Sequence, residues 1–246
     1  ENIVWRQNGR VITSFTPSAA GVTVLTATAS GITKKIYVVT RNLWEGEYVL
    51  YRNDFNSAPT DFRVIETTGS AVYHNGSGQY VLDAAGNKDA YARVLLPSFL
   101  DEFGDFKLET RYQESNVIDG RKWASLMAHV QNQDRPYIQF CIRNDASTAD
   151  GVDISHRQNT TSVQWDVYAK GSSADKVAGE YNTYALTVQG NHVSGSINGN
   201  TVISCIEHPY VTGAMGMQAR GMRVAFDYVK VTLGENTAQQ DSAVEC

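Results

Sequence analysis

From Tyr181 to Leu233 the chain repeats one pattern: a short run of alternating residues, then a turn containing glycine. Tyr184, Leu186 and Val188 interleave with Ala185, Thr187 and Gln189, and His192, Ser194 and Ser196 interleave with Val193, Gly195 and Ile197. Successive side chains on a strand point to opposite faces, so strict alternation marks a half-buried strand. Gly190-Asn191 and Asn198-Gly199 separate the runs. Asn-Gly suits a tight hairpin because both central positions of the favoured turn need positive φ. Further runs occur at 201–205, 213–219 and 224–232. No amphipathic helix pattern of any length occurs elsewhere, so the expected fold class is all-β and antiparallel.

The 246 residues suffice for one large or two modest domains. Charged residues at 19% and hydrophobic residues at 42% give an ordinary globular balance. A formal net charge of −5 argues against a nucleic-acid partner, whose affinity comes from clustered Lys and Arg, and against an anionic membrane surface. No apolar run approaches the roughly 20 residues of a membrane helix, so no membrane insertion is expected. The chain opens in mid-pattern at Glu1, as a monomeric module within a longer chain would. Three cysteines, Cys141, Cys205 and Cys246, are too few and too scattered for a disulfide framework or a metal site. They read as buried thiols, with a Cys141–Cys205 bridge as the alternative.

Residues 1–40 form a pattern of their own, with a hairpin signal at Asn8-Gly9, a loop from Pro17 to Gly21 and a turn at Ser30-Gly31. Trp5 with Gly9, the Thr16–Gly21 stretch and the run from Gly31 to Val39 resemble the second half of a bacterial Ig-like domain. A sandwich of that class needs about seven strands, and only about four are present. Either the first half lies outside this sequence, or these strands dock on the next domain to cover their edges. Residues 41–49 read as a linker, 50–234 as the main domain and 235–246 as a linker or tail.

The main domain resembles the concanavalin A-like lectin/glucanase superfamily, in particular laminin-G domains and bacterial 3-keto-disaccharide hydrolase-like domains of the DUF1080 type. The residues that carry the resemblance are Tyr184, Leu186, Val188, Gly190, Asn191 and Val193, then Ile197-Asn198-Gly199. Gly213, Gly216 and Gln218 come next, and then the closing strand with Val224, Phe226, Asp227, Val229 and Val231. Asp54-Phe55 resembles the family's opening strand, which pairs with the closing strand near Phe226-Asp227. The resemblance implies a two-sheet antiparallel jelly roll over residues 50–234. It does not by itself imply an activity, because the fold carries both lectins and enzymes.

Five strands are expected in the middle, at 105–115, 122–131, 137–144, 151–158 and 162–169. One face of the first three carries Phe106, Leu108, Thr110 and Tyr112, then Ala124, Leu126, Ala128 and Val130, then Ile138, Phe140 and Ile142. Those residues belong in the core. The opposite face carries Glu109 and Arg111, then Trp123, Ser125, Met127 and His129, then Tyr137, Gln139, Cys141 and Arg143. Asp153, Ser155 and Arg157 extend it, and so do Asp166 and Tyr168 if Trp165 and Val167 face the core. A register slip of one residue would present His156 and Trp165 instead.

The resemblance implies that this outer face is the concave one, where relatives bind or cleave sugars. Planar polar groups pair with vicinal hydroxyls and aromatic rings stack on sugar faces, so the residue types fit a carbohydrate. The candidate ligand-binding residues are Glu109, Arg111, Trp123, His129, Tyr137, Gln139, Arg143, Arg157, Asp166 and Tyr168. The plain alternative is a solvated sheet face held by salt bridges.

Glycoside hydrolysis needs two carboxylates, about 5–5.5 Å or about 6.5–9.5 Å apart. The superfamily's E-x-D-x-x-E strand motif is absent, leaving Glu109 with Asp153 or Asp166 as the available pair. No catalytic residue is assigned and no cofactor is expected. A structural Ca²⁺ could be held in the 144–151 loop by Asn144, Asp145 and Asp150, or near Asp54 and Asp227. The leading expectation is therefore a non-catalytic carbohydrate-binding module of a secreted or surface bacterial protein. The alternatives are a glycoside hydrolase-like enzyme using Glu109, and a laminin-G-like adhesion module that binds protein.

Overall fold

The computed structural model describes residues 3–16, 21–40, 48–144, 150–162, 164–206 and 209–233. The expected linker at 41–47, the centre of the 144–151 loop and the tail from 234 lie outside the described residues. Strands β1 (Val4–Gln7), β2 (Arg10–Ile12), β3 (Gly21–Ala29) and β4 (Ile32–Thr40) form a separate antiparallel sheet in the order β2-β1-β3-β4. The signals at Asn8-Gly9 and Ser30-Gly31 make its two hairpins, with positive φ at all four residues. This sheet touches the main domain: Tyr37 stacks on Phe99 with ring centroids 4.5 Å apart, and Val22 packs against the main core.

The main body begins with β5 (Tyr48–Asn53), β6 (Arg63–Glu66), β7 (Ala71–His74), β8 (Tyr80–Asp83) and β9 (Tyr91–Leu95). A 3-10 turn occupies Ser98–Glu102, where the sequence suggests one short helical turn. Next come β10 (Phe106–Ser115), β11 (Trp123–Val130), β12 (Tyr137–Arg143), β13 (Val152–Arg157) and β14 (Trp165–Gly171). The chain closes with β15 (Asn182–Gln189), β16 (His192–Ile197), β17 (Asn200–Ile206), β18 (Ala214–Arg220) and β19 (Arg223–Leu233).

These strands make two sheets face to face. The first has the order β17-β16-β15-β10-β19-β8-β7, with β5 also on β19; the second has the order β14-β13-β12-β11-β18-β9-β6. All pairings are antiparallel, so the expected two-sheet jelly roll is present. Apolar residues of both inner faces interdigitate: Leu108, Tyr112, Leu186 and Val231 from the first sheet meet Leu126, Ile138, Phe140 and Ile154 from the second. Phe140 lies so close to β16 that a Cβ on Gly195 would come within 2.5 Å of its ring. Packing at that spacing therefore excludes any side chain at Gly195.

The structure corrects three expectations. Strand β10 belongs to the first sheet, between β15 and β19, and not beside β11. Alternation shows which residues share a strand face, but not which sheet the strand joins, and the chain crosses between sheets at 116–122. Strand β5 does pair with β19, but through Asn53↔Val229 and Tyr51↔Val231; Phe226 faces Tyr80 of β8. Cys141 is a free buried thiol whereas Cys205 is disulfide-bonded, so the two do not bridge each other and only Cys141 matches the expected state.

Candidate functional site

The outer face of the second sheet is built in cross-strand rows. One row reads Tyr91, Arg220, Trp123, Arg143 across β9, β18, β11 and β12. The next reads Arg93, Gln218, Ser125, Cys141, Asp153, and a third ends with Met127, Gln139, Ser155. At the β14 end, Tyr137 faces Arg157 and Arg157 faces Trp165. Such neighbours on one face are close enough to touch.

This face is polar yet buried. Gln218, Ser125, Gln139, Ser155 and Asp153 are all at most 3% exposed. They satisfy one another in a ladder, as buried polar groups must. Tyr137 OH donates to Gln218 Oε1 at 3.3 Å, and Gln218 Nε2 donates to Gln139 Oε1 at 2.5 Å. Gln139 Nε2 donates to Ser155 Oγ at 3.0 Å, and Ser155 Oγ donates to Asp153 Oδ1 at 2.8 Å. Arg143 closes the ladder with a 2.6 Å ion pair to Asp153. Burial and the neighbouring Asp153 carboxylate push the Cys141 thiol well up, so it stays protonated.

An aromatic layer flanks the ladder. Trp123 meets Tyr91 edge-on at 5.5 Å and Trp165 edge-on at 6.3 Å, and Tyr137 meets Trp165 at 5.9 Å. Beside this layer lies a depression of about 350 Å³. Its walls include Tyr91, Tyr137 and four arginines: Arg93, Arg135, Arg157 and Arg220. Arg93 lies over the rings of Tyr91 and Tyr137, at 5.8 and 5.7 Å, and pairs with Glu66 and Asp134. Burial holds the phenols of Tyr91 and Tyr137 above their usual range, so both remain hydrogen-bond donors at neutral pH.

Five of the candidate residues share this face: Trp123, Tyr137, Gln139, Arg143 and Arg157. Tyr137 and Arg157 line the depression, while Gln139 lies within the buried ladder and Arg143 stands at its end.

The other five do not share it. Glu109 and Arg111 lie on the outer face of the first sheet. There Glu109 meets Lys107, Lys230 and Tyr228, and Arg111 pairs with Asp227 beneath the Tyr181 ring. Glu109 therefore cannot form a catalytic pair with Asp153 or Asp166. His129 is turned away by a bulge between Met127 and Val130, with a φ of 49°. Its ring packs edge-on against Phe106 at 5.5 Å, and its nitrogens lie 3.1 and 3.0 Å from the carbonyl oxygens of Tyr210 and Gly104. Asp166 and Tyr168 sit on the opposite side of β14 with His156; Asp166 is 3.2 Å from its Nδ1, and Tyr168 stacks on its ring at 6.0 Å. The register with Trp165 on the outer face is the one observed.

Sequence reasoning missed Arg93, Arg220, Tyr91, Gln218, Arg135 and Glu66. A signal was present in β9 and β18. Tyr91 and Arg93 alternate with Ala92 and Val94, and Gln218 and Arg220 alternate with Met217 and Ala219. Polar residues at every second position of otherwise apolar strands mark an outer face that does work.

Among the described residues no group of three His, Cys, Asp or Glu side chains could hold a metal ion. Asp54 is paired with Arg52 and Asp227 with Arg111, and Asp145 lies outside the described residues.

Several solved structures share the fold. The carbohydrate-binding module CBM66 from Bacillus subtilis aligns over 68% of this chain and 92% of its own, at 15% identity and a TM-score of 0.53. A Bacillus licheniformis beta-glucanase aligns over 76% and 98%, at 14% identity and a TM-score of 0.52. The exoplasmic/lumenal domain of VIP36, in a Ca²⁺- and Man2-bound form, aligns over 74% and 86%, at 8% identity and a TM-score of 0.55. No curated protein matches the chain. Identities this low speak for the concanavalin A-like jelly roll and nothing further. The sequence match is more specific: it runs from residue 65 to 232, from β6 to β19, and so takes in both sheets and nearly all of the buried polar face. The chain belongs to the family of 3-keto-alpha-glucoside-1,2-lyase-like domains.

Proposed function

We propose that the chain binds a saccharide in the depression between β6, β9 and the β12–β14 end of the second sheet. In this reading it is a non-catalytic, monomeric module of a larger exported or surface protein. The observation that carries it is the combination of aromatic and guanidinium groups around one opening of about 350 Å³. Tyr91 and Tyr137 give the wall its aromatic surface, and the arginines offer paired donors for vicinal oxygens. The carbohydrate-binding module and lectin domain among the structural neighbours support the reading by analogy of fold. Such a module works by raising local concentration, so weak affinity suffices.

A glycan array read with the wild-type chain, Arg135→Ala and Arg220→Ala tests it. Wild-type retention on a saccharide, lost in both variants, is expected. Unchanged retention in both would remove the depression from consideration.

The family match favours a second reading, in which the same depression acts on a keto-glucoside. Glu66 and Asp89 are the carboxylates on its wall. Incubation with a 3-keto-glucoside and analysis of the products separates the two: turnover that vanishes in Glu66→Gln supports the second, and binding without turnover the first.

A further inference from the structure

The charges around the depression do not balance. Arg93 pairs with Glu66 at 2.9 Å and with Asp134 at 2.5 Å, Arg135 pairs with the same Asp134 at 2.7 Å, and Arg220 pairs with Asp89 at 3.2 Å. Four guanidinium groups thus meet three carboxylates. The one left over is Arg157, which has no carboxylate partner among the described residues. It is 6% exposed, and a guanidinium keeps its charge at any accessible pH.

Arg157 is held by neutral groups only. Its Nη1 donates to the Gln158 carbonyl at 2.7 Å and reaches Thr160 Oγ1 and the Ser162 carbonyl at 3.5 Å. Its Nη2 reaches the Thr160 carbonyl at 3.4 Å, and the group lies 5.9 Å from the Trp165 ring. Two other donors in the same wall, Arg93 Nε and Arg220 Nε, are buried without a partner among the described residues. Buried cations and donors lacking counterparts are costly to maintain, and the cost disappears when a ligand supplies the missing charge and acceptors. This excess is local, because the whole chain carries a net charge of −5.

We propose that the depression selects an acidic saccharide, one whose ring carries a carboxylate or a sulfate ester, with that oxyanion received by Arg157 and flanked by Arg93 and Arg220. This rests on the saccharide-binding reading and narrows it. The shared chemistry is a multi-oxygen anion on a sugar ring, which a planar guanidinium binds through paired, charge-assisted hydrogen bonds. A neutral sugar would leave the charge of Arg157 unanswered.

Titration calorimetry with matched ligands tests the proposal. An oligogalacturonate is compared with its carboxyl-reduced form, and a sulfated galactan oligosaccharide with its desulfated form. One acidic member should bind at least about tenfold more tightly than its neutral partner. The pair showing the preference identifies the anion. Arg157→Gln should abolish that preference. Because Arg157 is buried, Arg220→Gln serves as a second variant, its side chain being 32% exposed, and should reduce the preference with the melting temperature unchanged. Equal affinity for acidic and neutral partners would overturn the acidic assignment and leave the saccharide reading standing. Failure to bind any saccharide would overturn both.

Discussion

The two outer faces of the sandwich carry similar residue types under different rules. On the first sheet, Glu109 is met by Lys107, Lys230 and Tyr228, and Arg111 by Asp227, so every one of these charges has an opposite or a hydroxyl at hand. Arg111 and Asp227 remain roughly 40% exposed, at 44% and 38%. On the second sheet, the polar groups are at most a few per cent exposed, mostly neutral, and linked in series, and the arginines beside them outnumber their carboxylates. A solvated face disperses charge in water and tolerates loss of any one residue. A buried polar face depends on each member, and it retains the directional donors a ligand needs.

The largest expected effect lies on the buried face. Arg93→Ala removes a 94% buried cation that bridges Glu66 and Asp134 and packs on two tyrosines. Since both carboxylates can reach water, the loss should fall near the low end of the range for broken buried pairs, about 3 kcal/mol by denaturant unfolding. Gln139→Ala takes out the middle of the ladder and removes one hydrogen-bond partner each from Gln218, Ser155 and Ser125, for about 2 kcal/mol. If either variant melts like the wild type, the claim that this face acts as one connected unit fails.

On the first sheet, Arg111→Ala should cost less than about 1 kcal/mol and leave any saccharide affinity unchanged. The smallest effect is a pH dependence at Glu109. Partial burial raises its pKa, but hydrogen bonds from Lys107 and Tyr228 outweigh that and hold it below the ordinary value of 4.5. A carboxylate with a depressed folded pKa contributes stability that is complete above the unfolded value and is lost as pH falls through the folded one. The melting temperature of Glu109→Gln should therefore fall less than that of the wild type below pH 4.5. A variant that tracks the wild type through that range would show that these contacts add nothing.

What was legible in the sequence is what alternation encodes. Period-two patterns located the strands from β10 to β19 and put Leu126, Ile138 and Phe140 in the core. They could not reveal that β10 crosses to the other sheet, because Glu109 alternates with Leu108 in the same way whichever neighbours the strand has. They could not reveal the bulge that turns His129 toward Phe106, since positive φ at a histidine leaves no compositional trace. Nor could they assemble the depression. Its walls come from β6, β9, β12, β13 and β18, brought together only by the strand order of the second sheet.

The ladder beneath that depression also has a sense of direction. Its hydrogen bonds run one way, from the Tyr137 hydroxyl through Gln218, Gln139 and Ser155 to Asp153, which can only accept. Asp153 thus orients a proton four hydrogen bonds away. With its own proton committed to Gln218, the Tyr137 oxygen acts as an acceptor, and it takes hydrogen bonds from Tyr91 and Arg93 in the wall of the depression. The ladder therefore sets, from its far end, which way the Tyr91–Tyr137 hydrogen bond in that wall is polarised. Asp153→Asn would add a donor at the terminus, let the whole chain reverse, and make that contact indifferent to which partner gives the proton.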